Sequence, residues 1–403
     1  MTFVSPERTT IELVEEEPKY LPRTRLSEAQ AMRIHETVGD KVSVEFPSPI
    51  NGQRYVFRPT GYVGIFPVDD TVVRIEPKVS ISNLFGMLEY AYNLKSFRLL
   101  EGLVDVDTVA GLYENLAAIL AKRVLDRVRK GLYRGYVDEV EQLPFVRGRM
   151  IPYPTALTIA KGGYKATCEF EDHTPDLIDN RILFWTLLHI SRADLKREEV
   201  RLLVKKAALT LSDIVRPTEI LPSDCLGRFY HRLNQDYEPM HGLCRFFLEN
   251  QGPGISRGQR GFTPFLVYMP GLFESFVAEW LRTNAPRFAV EPRYVVSLNP
   301  SGSIEIRIDI VLRDPIASSV LAVVDTKYKR AKEPSTQDLF QVVGYAETLQ
   351  THTAILVYPS IEIRQEPIRT GQIVVYPISF DLAADLESSG RRFLANLHGA
   401  LTS

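Results

Sequence analysis

A chain of 403 residues with 45% hydrophobic and 24% charged side chains has an ordinary globular make-up and enough apolar material for two or three domains. Its formal net charge of −2 argues against a protein whose sole task is gripping nucleic acid, since such proteins are usually basic. The absence of a long uncharged apolar run excludes a membrane-spanning helix, and three widely spaced cysteines, Cys168, Cys225 and Cys244, exclude a disulfide framework and fit a reducing cytoplasm.

Residues 1–25 are polar with scattered β-branched positions, as in an arm or an edge strand, and carry no basic-then-apolar secretory signal. A short helix is expected over 27–38, with Ser27 as N-cap and Gln30 three residues on. From 42 to 79 the pattern gives short strands separated by Pro47-Ser48-Pro49, Asn51-Gly52, Pro59-Thr60-Gly61 and Asp69-Asp70. Within them, 54–67 is short, aromatic and Gly-punctuated and reads as an exposed hairpin. Helices follow from 81 to about 136. The middle of the chain contains two amphipathic stretches, 180–193 and 198–211, and a further helix over 240–249. Basic residues crowd 122–134 and 192–206, where they can track phosphates or form solvated helix faces. The acidic group Glu169, Glu171, Asp172, Asp176 and Asp179 reads as structural, with Asp179 placed to cap and charge-complement the helix that follows. A Gly- and Arg-rich stretch, 251–261, reads as a flexible junction.

Beyond that junction the order is helix (271–281), strand (304–312), strand (320–328), helix (337–346) and strand (354–358). Side chains alternate along a strand, so Asp325 and Lys327 share a face. If the two strands form a hairpin, Asp309 lies beside Asp325 on that face. Two carboxylates and one ammonium at the edge of an apolar sheet suit metal-assisted phosphodiester hydrolysis. Carboxylates hold Mg²⁺, which keeps several of its waters, and a lysine orients the attacking water or stabilises charge on phosphorus. Glu274 lies beside the apolar stripe of the first helix and is within reach of the same place. Gln341 and Tyr345, four apart, share a face of the second helix, Tyr345 reading mainly as core.

Leu272-Phe273-Glu274, Asp309-Ile310-Val311-Leu312, Asp325-Thr326-Lys327-Tyr328-Lys329 and Gln341-Val342-Val343-Gly344-Tyr345-Ala346 together resemble the PD-(D/E)xK nuclease superfamily. Within it they are similar to the McrC family, the nuclease subunit of McrBC-type modification-dependent restriction systems. The resemblance extends upstream through Gly61-Tyr62-Val63-Gly64, Ile75-Glu76-Pro77-Lys78-Val79, and the stretch around Cys168 to Leu183. One departure is Ile308, where the superfamily pattern has proline.

The resemblance implies a mixed α+β chain. Residues 1–110 would form an N-terminal β-rich partner-docking module followed by helices, 111–255 a mainly helical middle region, and 256–403 a restriction-endonuclease-like α/β domain with a mixed central sheet. It further implies that Asp309 and Asp325 hold Mg²⁺ with the carbonyl of Thr326, that Lys327 places the attacking water, that Glu274 assists, and that Gln341 contacts the phosphate or Lys327. The chain has no GxxxxGK[ST] loop, so any nucleotide hydrolysis belongs to another protein. In McrBC-type systems that partner is the McrB-like AAA+ GTPase ring, which recognises modified double-stranded DNA. The N-terminal part of this chain would dock into the ring and stimulate it, with Arg54, Arg58, Glu76 and Lys78 as contact candidates. Double-strand cleavage would require two such complexes to meet on DNA. Two alternatives are a non-cleaving activator with a degenerate nuclease fold and a stand-alone nuclease.

Overall fold

The computed structural model describes residues 9–69, 71–94, 108–193, 195–251, 265–299 and 301–402. The expected junction at 251–261 lies outside these except for Gln251, as do Asp70 and residues 95–107 of the helical stretch after 81. The chain divides into two compact units, one made of 1–113 with 250–403, the other of 114–249. The architecture is mixed α+β, with several sheets and ten helices among the described residues.

The first unit begins with β1 (Thr9–Val14) and β2 (Lys19–Pro22), then α1 (Glu28–Val38), β3 (Val42–Glu45), β4 (Arg54–Pro59), β5 (Tyr62–Val68), β6 (Thr71–Glu76) and α2 (Ile81–Ala91). Helix α1 starts at a complete capping box. The Ser27 side chain takes the Gln30 N–H while the Gln30 side chain takes the Ser27 N–H, as the Ser-x-x-Gln spacing predicts. Strands β2, β4 and β3 form an antiparallel sheet, and β1, β6, β5 and a later strand form a second sheet, with β1 parallel to β6. Their shared core contains Ile11, Leu13, Ile34, Phe57, Phe66, Val73 and Ile75.

The expected hairpin at 54–67 is therefore not formed. Strand β4 pairs with β2 and β3 while β5 pairs with β6, so the chain changes sheets at Gly61. Nor is the segment exposed: Tyr55, Val56, Phe57, Val63 and Phe66 are buried. Consecutive apolar residues here mark strands covered on both faces, which a reading based on aromatic content and glycine punctuation mistakes for an exposed ribbon.

Helix α3 (Val109–Lys130) leads into the second unit, which adds β7 (Gly135–Leu143), β8 (Arg149–Met150), α4 (Pro152–Ala160), β9 (Ala166–Thr174), α5 (Ile178–Ser191), α6 (Glu198–Ser212) and α7 (Tyr237–Glu249). Alongside its helices this unit contains an antiparallel sheet of order β7-β9-β8, which the expectation of a mainly helical region did not anticipate. Strand β7, Gly-Tyr-Val-Asp-Glu-Val-Glu-Gln-Leu, has too few apolar residues to signal a strand by hydrophobicity alone. Asp179 stands in the first turn of α5, where it complements the helix dipole, but the N-cap is Leu177; the Asp179 carboxylate accepts from Arg228 instead. All three cysteines are buried and unpaired by disulfide.

The chain returns to the first unit with β10 (Phe265–Tyr268), which completes the N-terminal sheet beside β5. Then come α8 (Met269–Asn284), β11 (Ala289–Ser297), β12 (Glu305–Arg313), β13 (Val320–Thr326), α9 (Thr336–Thr348), β14 (Thr353–Tyr358), β15 (Ile368–Thr370), β16 (Ile373–Ser379) and α10 (Leu386–Thr402). Six strands form one mixed sheet of order β11-β12-β13-β14-β16-β15, with antiparallel pairing from β11 to β13 and parallel pairing from β13 to β16. The helix, strand, strand, helix, strand order is present with one addition: β11 precedes the hairpin as an edge strand. Pro292 within it conceals the strand, since proline is tolerated only at such an edge. The α9 side of the sheet is packed by Val311, Val323, Val342, Ala346, Ala354 and Leu356.

Candidate active site

Strands β12 and β13 form the hairpin that the site requires. Their ladder runs Val311↔Val323 and Ile310↔Val324 and stops there, leaving Asp309 opposite Asp325 one step further on. In place of the next rung, the Asp309 carboxylate accepts the Thr326 backbone N–H at 2.8 Å and the Thr326 hydroxyl at 2.7 Å, both on Oδ2. Thr326 thus acts here as a donor that fixes Asp309.

Asp325 is 1% exposed and sits at the end of a buried apolar run. Lys327 Nζ approaches its Oδ2 to 2.6 Å, a close charge pair at the buried end of the strand. Burial, reinforced by the negative Asp309, pushes the Asp325 carboxyl up to about 7 against the opposing pull of Lys327. Lys327 Nζ also donates to Gln341 Oε1 at 2.9 Å, and Gln341 Nε2 donates to the Tyr345 hydroxyl at 2.7 Å. The i, i+4 spacing on α9 places those two side chains in line. Helix α9 is itself fixed by a Ser335–Asp338 capping box, and Asp338 accepts from Lys329 at 2.7 Å, which engages a lysine that could otherwise meet a phosphate.

Glu274, on α8, is half-buried; burial and then the Asp309 charge hold its carboxyl above the usual range, partly offset by Arg293. Arg293 is a residue that the sequence did not reveal. Its Nε donates to Glu274 Oε1 at 3.3 Å and its Nη2 to Ser275 Oγ at 3.1 Å. The register Pro292↔Ile310 and Tyr294↔Ile308 sets Arg293 opposite Asp309, and its φ of 51° is a left-handed conformation in mid-strand. Such backbone strain persists where the surroundings hold it, often at functional sites.

The structure therefore sets two contact groups opposite one another, Asp309 with Thr326 and Asp325 with Lys327 and Gln341, and brings Glu274 near enough to Asp309 for their charges to interact. Among the described residues no group of three or more His, Cys, Asp or Glu side chains could hold a metal. That disfavours an all-protein cage of the zinc or calcium kind. Two facing carboxylates, one of them almost wholly buried, fit a magnesium ion, which binds through one or two carboxylates and keeps its waters.

The other candidates lie on the N-terminal sheets. Arg54 and Arg58 are exposed on β4, Arg58 paired with Glu45 at 3.0 Å. Glu76 Oε2 accepts the Val109 N–H at 3.3 Å, and Lys78 Nζ contacts Glu16 at 2.5 Å with a side chain only 8% exposed. In the basic stretches, Arg127 pairs with Asp236, Arg129 with Asp126, Arg197 with Glu114 and Arg201 with Glu198. No helix among the described residues is long and apolar enough to cross a membrane.

Residues 57–359, well over half of the chain, match the family model described as McrBC 5-methylcytosine restriction system component. A curated relative, the type IV methyl-directed restriction enzyme EcoKMcrBC of Escherichia coli K12, is 23% identical over 71% of this chain and 88% of its own length. A similar fold occurs in a half-complex from the tetradecameric assembly of Thermococcus gammatolerans McrB AAA+ hexamers with bound McrC. The match has a TM-score of 0.59 and 19% identity, and it covers 97% of this chain and 100% of that one. The chain belongs to the family of McrBC 5-methylcytosine restriction system components.

Proposed function

We propose that this chain is the McrC-like, Mg²⁺-dependent endonuclease subunit of a restriction complex, carrying a PD-(D/E)xK site and cleaving DNA when coupled to an AAA+ NTPase. The observation that carries the reading is the facing pair Asp309 and Asp325 at the end of the β12–β13 ladder, with Lys327 Nζ 2.6 Å from Asp325. A magnesium ion held by these carboxylates, with the Thr326 carbonyl as a further ligand, would polarise the scissile phosphate and lower the pKa of a bound water. Lys327 orients the attacking water and stabilises charge developing on the phosphate oxygens. Gln341 holds the Lys327 ammonium in place and Tyr345 holds Gln341. Glu274 adds negative charge beside Asp309 and is steadied by Arg293. The departure at Ile308 is compatible with this, since Ile308 is a buried strand residue with no part in the chemistry.

The partner assignment rests on the McrB hexamers that accompany McrC in the structural relative. In this reading residues 1–110, with β10 completing their sheet from beyond the boundary, dock into a GTPase ring, 111–255 form the middle region and the rest of 256–403 forms the nuclease. Exposed Arg54 is the first candidate for reaching a partner's active site, followed by Arg58, whose pairing with Glu45 is on the surface, and then by Glu76 and Lys78, which are less exposed and engaged within the chain. The target is modified double-stranded DNA, and two complexes meeting on it would cut both strands.

The deciding experiment is cleavage of methylated and unmethylated plasmid with Mg²⁺, with and without the AAA+ partner and GTP or ATP. Cutting that needs partner and nucleotide and disappears in Asp325→Ala and Lys327→Ala is the expected result. Cutting by the chain alone would establish a stand-alone nuclease. No cutting, with partner hydrolysis still raised, would make the chain a non-cleaving activator.

A further inference from the structure

Two of the candidate site residues have an aromatic neighbour in sequence, Phe273 before Glu274 and Tyr328 after Lys327, and these two rings meet. Their centroids lie 5.7 Å apart. Tyr328 is 6% exposed, and its hydroxyl donates to Glu15 Oε2 at 3.2 Å. Glu15 comes immediately after β1 in the N-terminal sheet and is 1% exposed. The same Glu15 oxygen accepts the Lys78 backbone N–H at 3.3 Å, while Lys78 Nζ stands 4.2 Å from the centre of the Tyr328 ring and reaches Glu16. The second Glu15 oxygen is buried with no hydrogen-bond partner, so the burial of this carboxylate is only partly compensated by the Tyr328 and Lys78 contacts. Both ends of this junction lie in the first compact unit.

From this juxtaposition we propose that Tyr328 is a positioning residue for the nuclease site, and that Glu15 and Lys78 of the N-terminal sheet hold it there. The proposal rests on the nuclease reading of Asp309, Asp325 and Lys327. A peptide unit links the Tyr328 Cα to the Lys327 Cα, so the direction of one side chain constrains the other. Lys327 is fixed from behind by its own N–H to Val357 O at 2.8 Å and from the front by Asp325 and Gln341. The chain leaving β13 turns at Tyr328, where the Lys329 N–H donates to Lys327 O at 2.8 Å, and the Tyr328 anchor fixes the direction of that turn. The contact of Phe273 with the same ring ties the start of α8, and with it Glu274, to the same reference. The N-terminal sheet then sets the position of both groups in the site, and displacement of its β1–β6 end would be felt at Lys327.

The test uses the full chain with its AAA+ partner and two readouts. One is single-turnover cleavage in Mg²⁺. The other is acetylation of Lys327 by an amine-reactive reagent, quantified by mass spectrometry well below the melting temperature. Tyr328→Phe removes only the hydroxyl. It is expected to slow cleavage on the order of tenfold with little change in KM for DNA, and to raise Lys327 labelling several-fold, as misplacement of a catalytic group does. Glu15→Ala, which removes the acceptor, should reproduce both effects. Glu15→Gln keeps an acceptor and should recover most of the rate. Wild-type cleavage and labelling in Tyr328→Phe and Glu15→Ala would overturn the proposal, as would slower cleavage with unchanged labelling. Raised labelling in variants of a chain that never cleaves, even as wild type, would leave the positioning role standing while the nuclease reading fails.

Discussion

Asp309 and Asp325 face each other beyond the last rung of their ladder, and one of the two is almost wholly buried. Lys327 does not fully relieve this, because its one ammonium is shared between Asp325 and Gln341 while burial and the Asp309 charge both act against ionisation of Asp325. An amide at position 325 would keep the shape and remove the buried charge. Asp325→Asn is therefore expected to raise stability by roughly 1–2 kcal/mol in chelator-containing buffer while abolishing cleavage. Urea unfolding of both proteins checks this, and a destabilised variant would mean that the Lys327 pairing outweighs the repulsion. At this scale the sequence was informative. The two-residue period of a strand is enough to place Asp325 and Lys327 on one face, and the i, i+4 period of a helix to align Gln341 with Tyr345. Arg293 was hidden because its position depends on the register of an unexpected strand and on a left-handed φ, neither of which a local pattern encodes. Tyr345 read as core because half of it is; the hydrogen bond from Gln341 belongs to the other half.

Among the elements, those with a strong local signal were the legible ones. Helices α1, α5, α6, α8 and α9 follow from apolar periodicity, and α1 also from its cap. Partnership between strands was legible for the local β12–β13 hairpin but not where it is decided by distant segments: β5 is completed by β10, about two hundred residues later in the chain. Gly64 records that pairing. It opposes Leu266 with a φ of 142°, and a Cβ there would come within 2.0 Å of the Phe265 carbonyl oxygen. Backbone on both sides leaves nothing flexible to yield. Gly64→Ala should accordingly cost about 2–4 kcal/mol through lost strand pairing, read as a fall in melting temperature, whereas Gly52→Ala, with open space around it, should cost about 1 kcal/mol from its φ alone. Equal losses at the two positions would show that β10 does not depend on close approach at Gly64.

At the scale of the whole molecule, each unit contains buried groups whose titration is shifted by burial, imidazoles in one and carboxyls in the other. In the unit of residues 114–249, His241 is buried between the Tyr230 hydroxyl, 2.8 Å from Nδ1, and the Asp179 carbonyl, 3.0 Å from Nε2. Burial holds this imidazole below its usual value, and burial followed by the Arg192 charge does the same to His189. In the other unit, burial raises the carboxyls of Glu15 and Glu76. For a histidine with a depressed native pKa, both states are neutral above about pH 6.5; below it the unfolded chain takes up the proton first, so native stability is lost as pH falls, by up to about 1.4 kcal/mol per pH unit per group. For a carboxyl with a raised native pKa the native state takes up the proton first, so stability is gained as pH falls from neutrality toward the ordinary carboxylate range near pH 4. Acidification from pH 7.5 to pH 5 should therefore weaken the unit of 114–249 relative to the other. Hydrogen exchange followed by mass spectrometry, corrected for intrinsic rates, is the appropriate measurement because it reports each segment separately. Peptides from α5 and α7 should lose protection at pH 5 while those from β1, β6 and β10 keep theirs. His241→Phe, which cannot take up a proton, should flatten the pH dependence in α5 and α7 even if it lowers protection at both pH values. A steeper loss in the N-terminal sheet than in α5 and α7 would run against the sign of both the raised carboxyls and the depressed imidazoles and would overturn this account of the acid response.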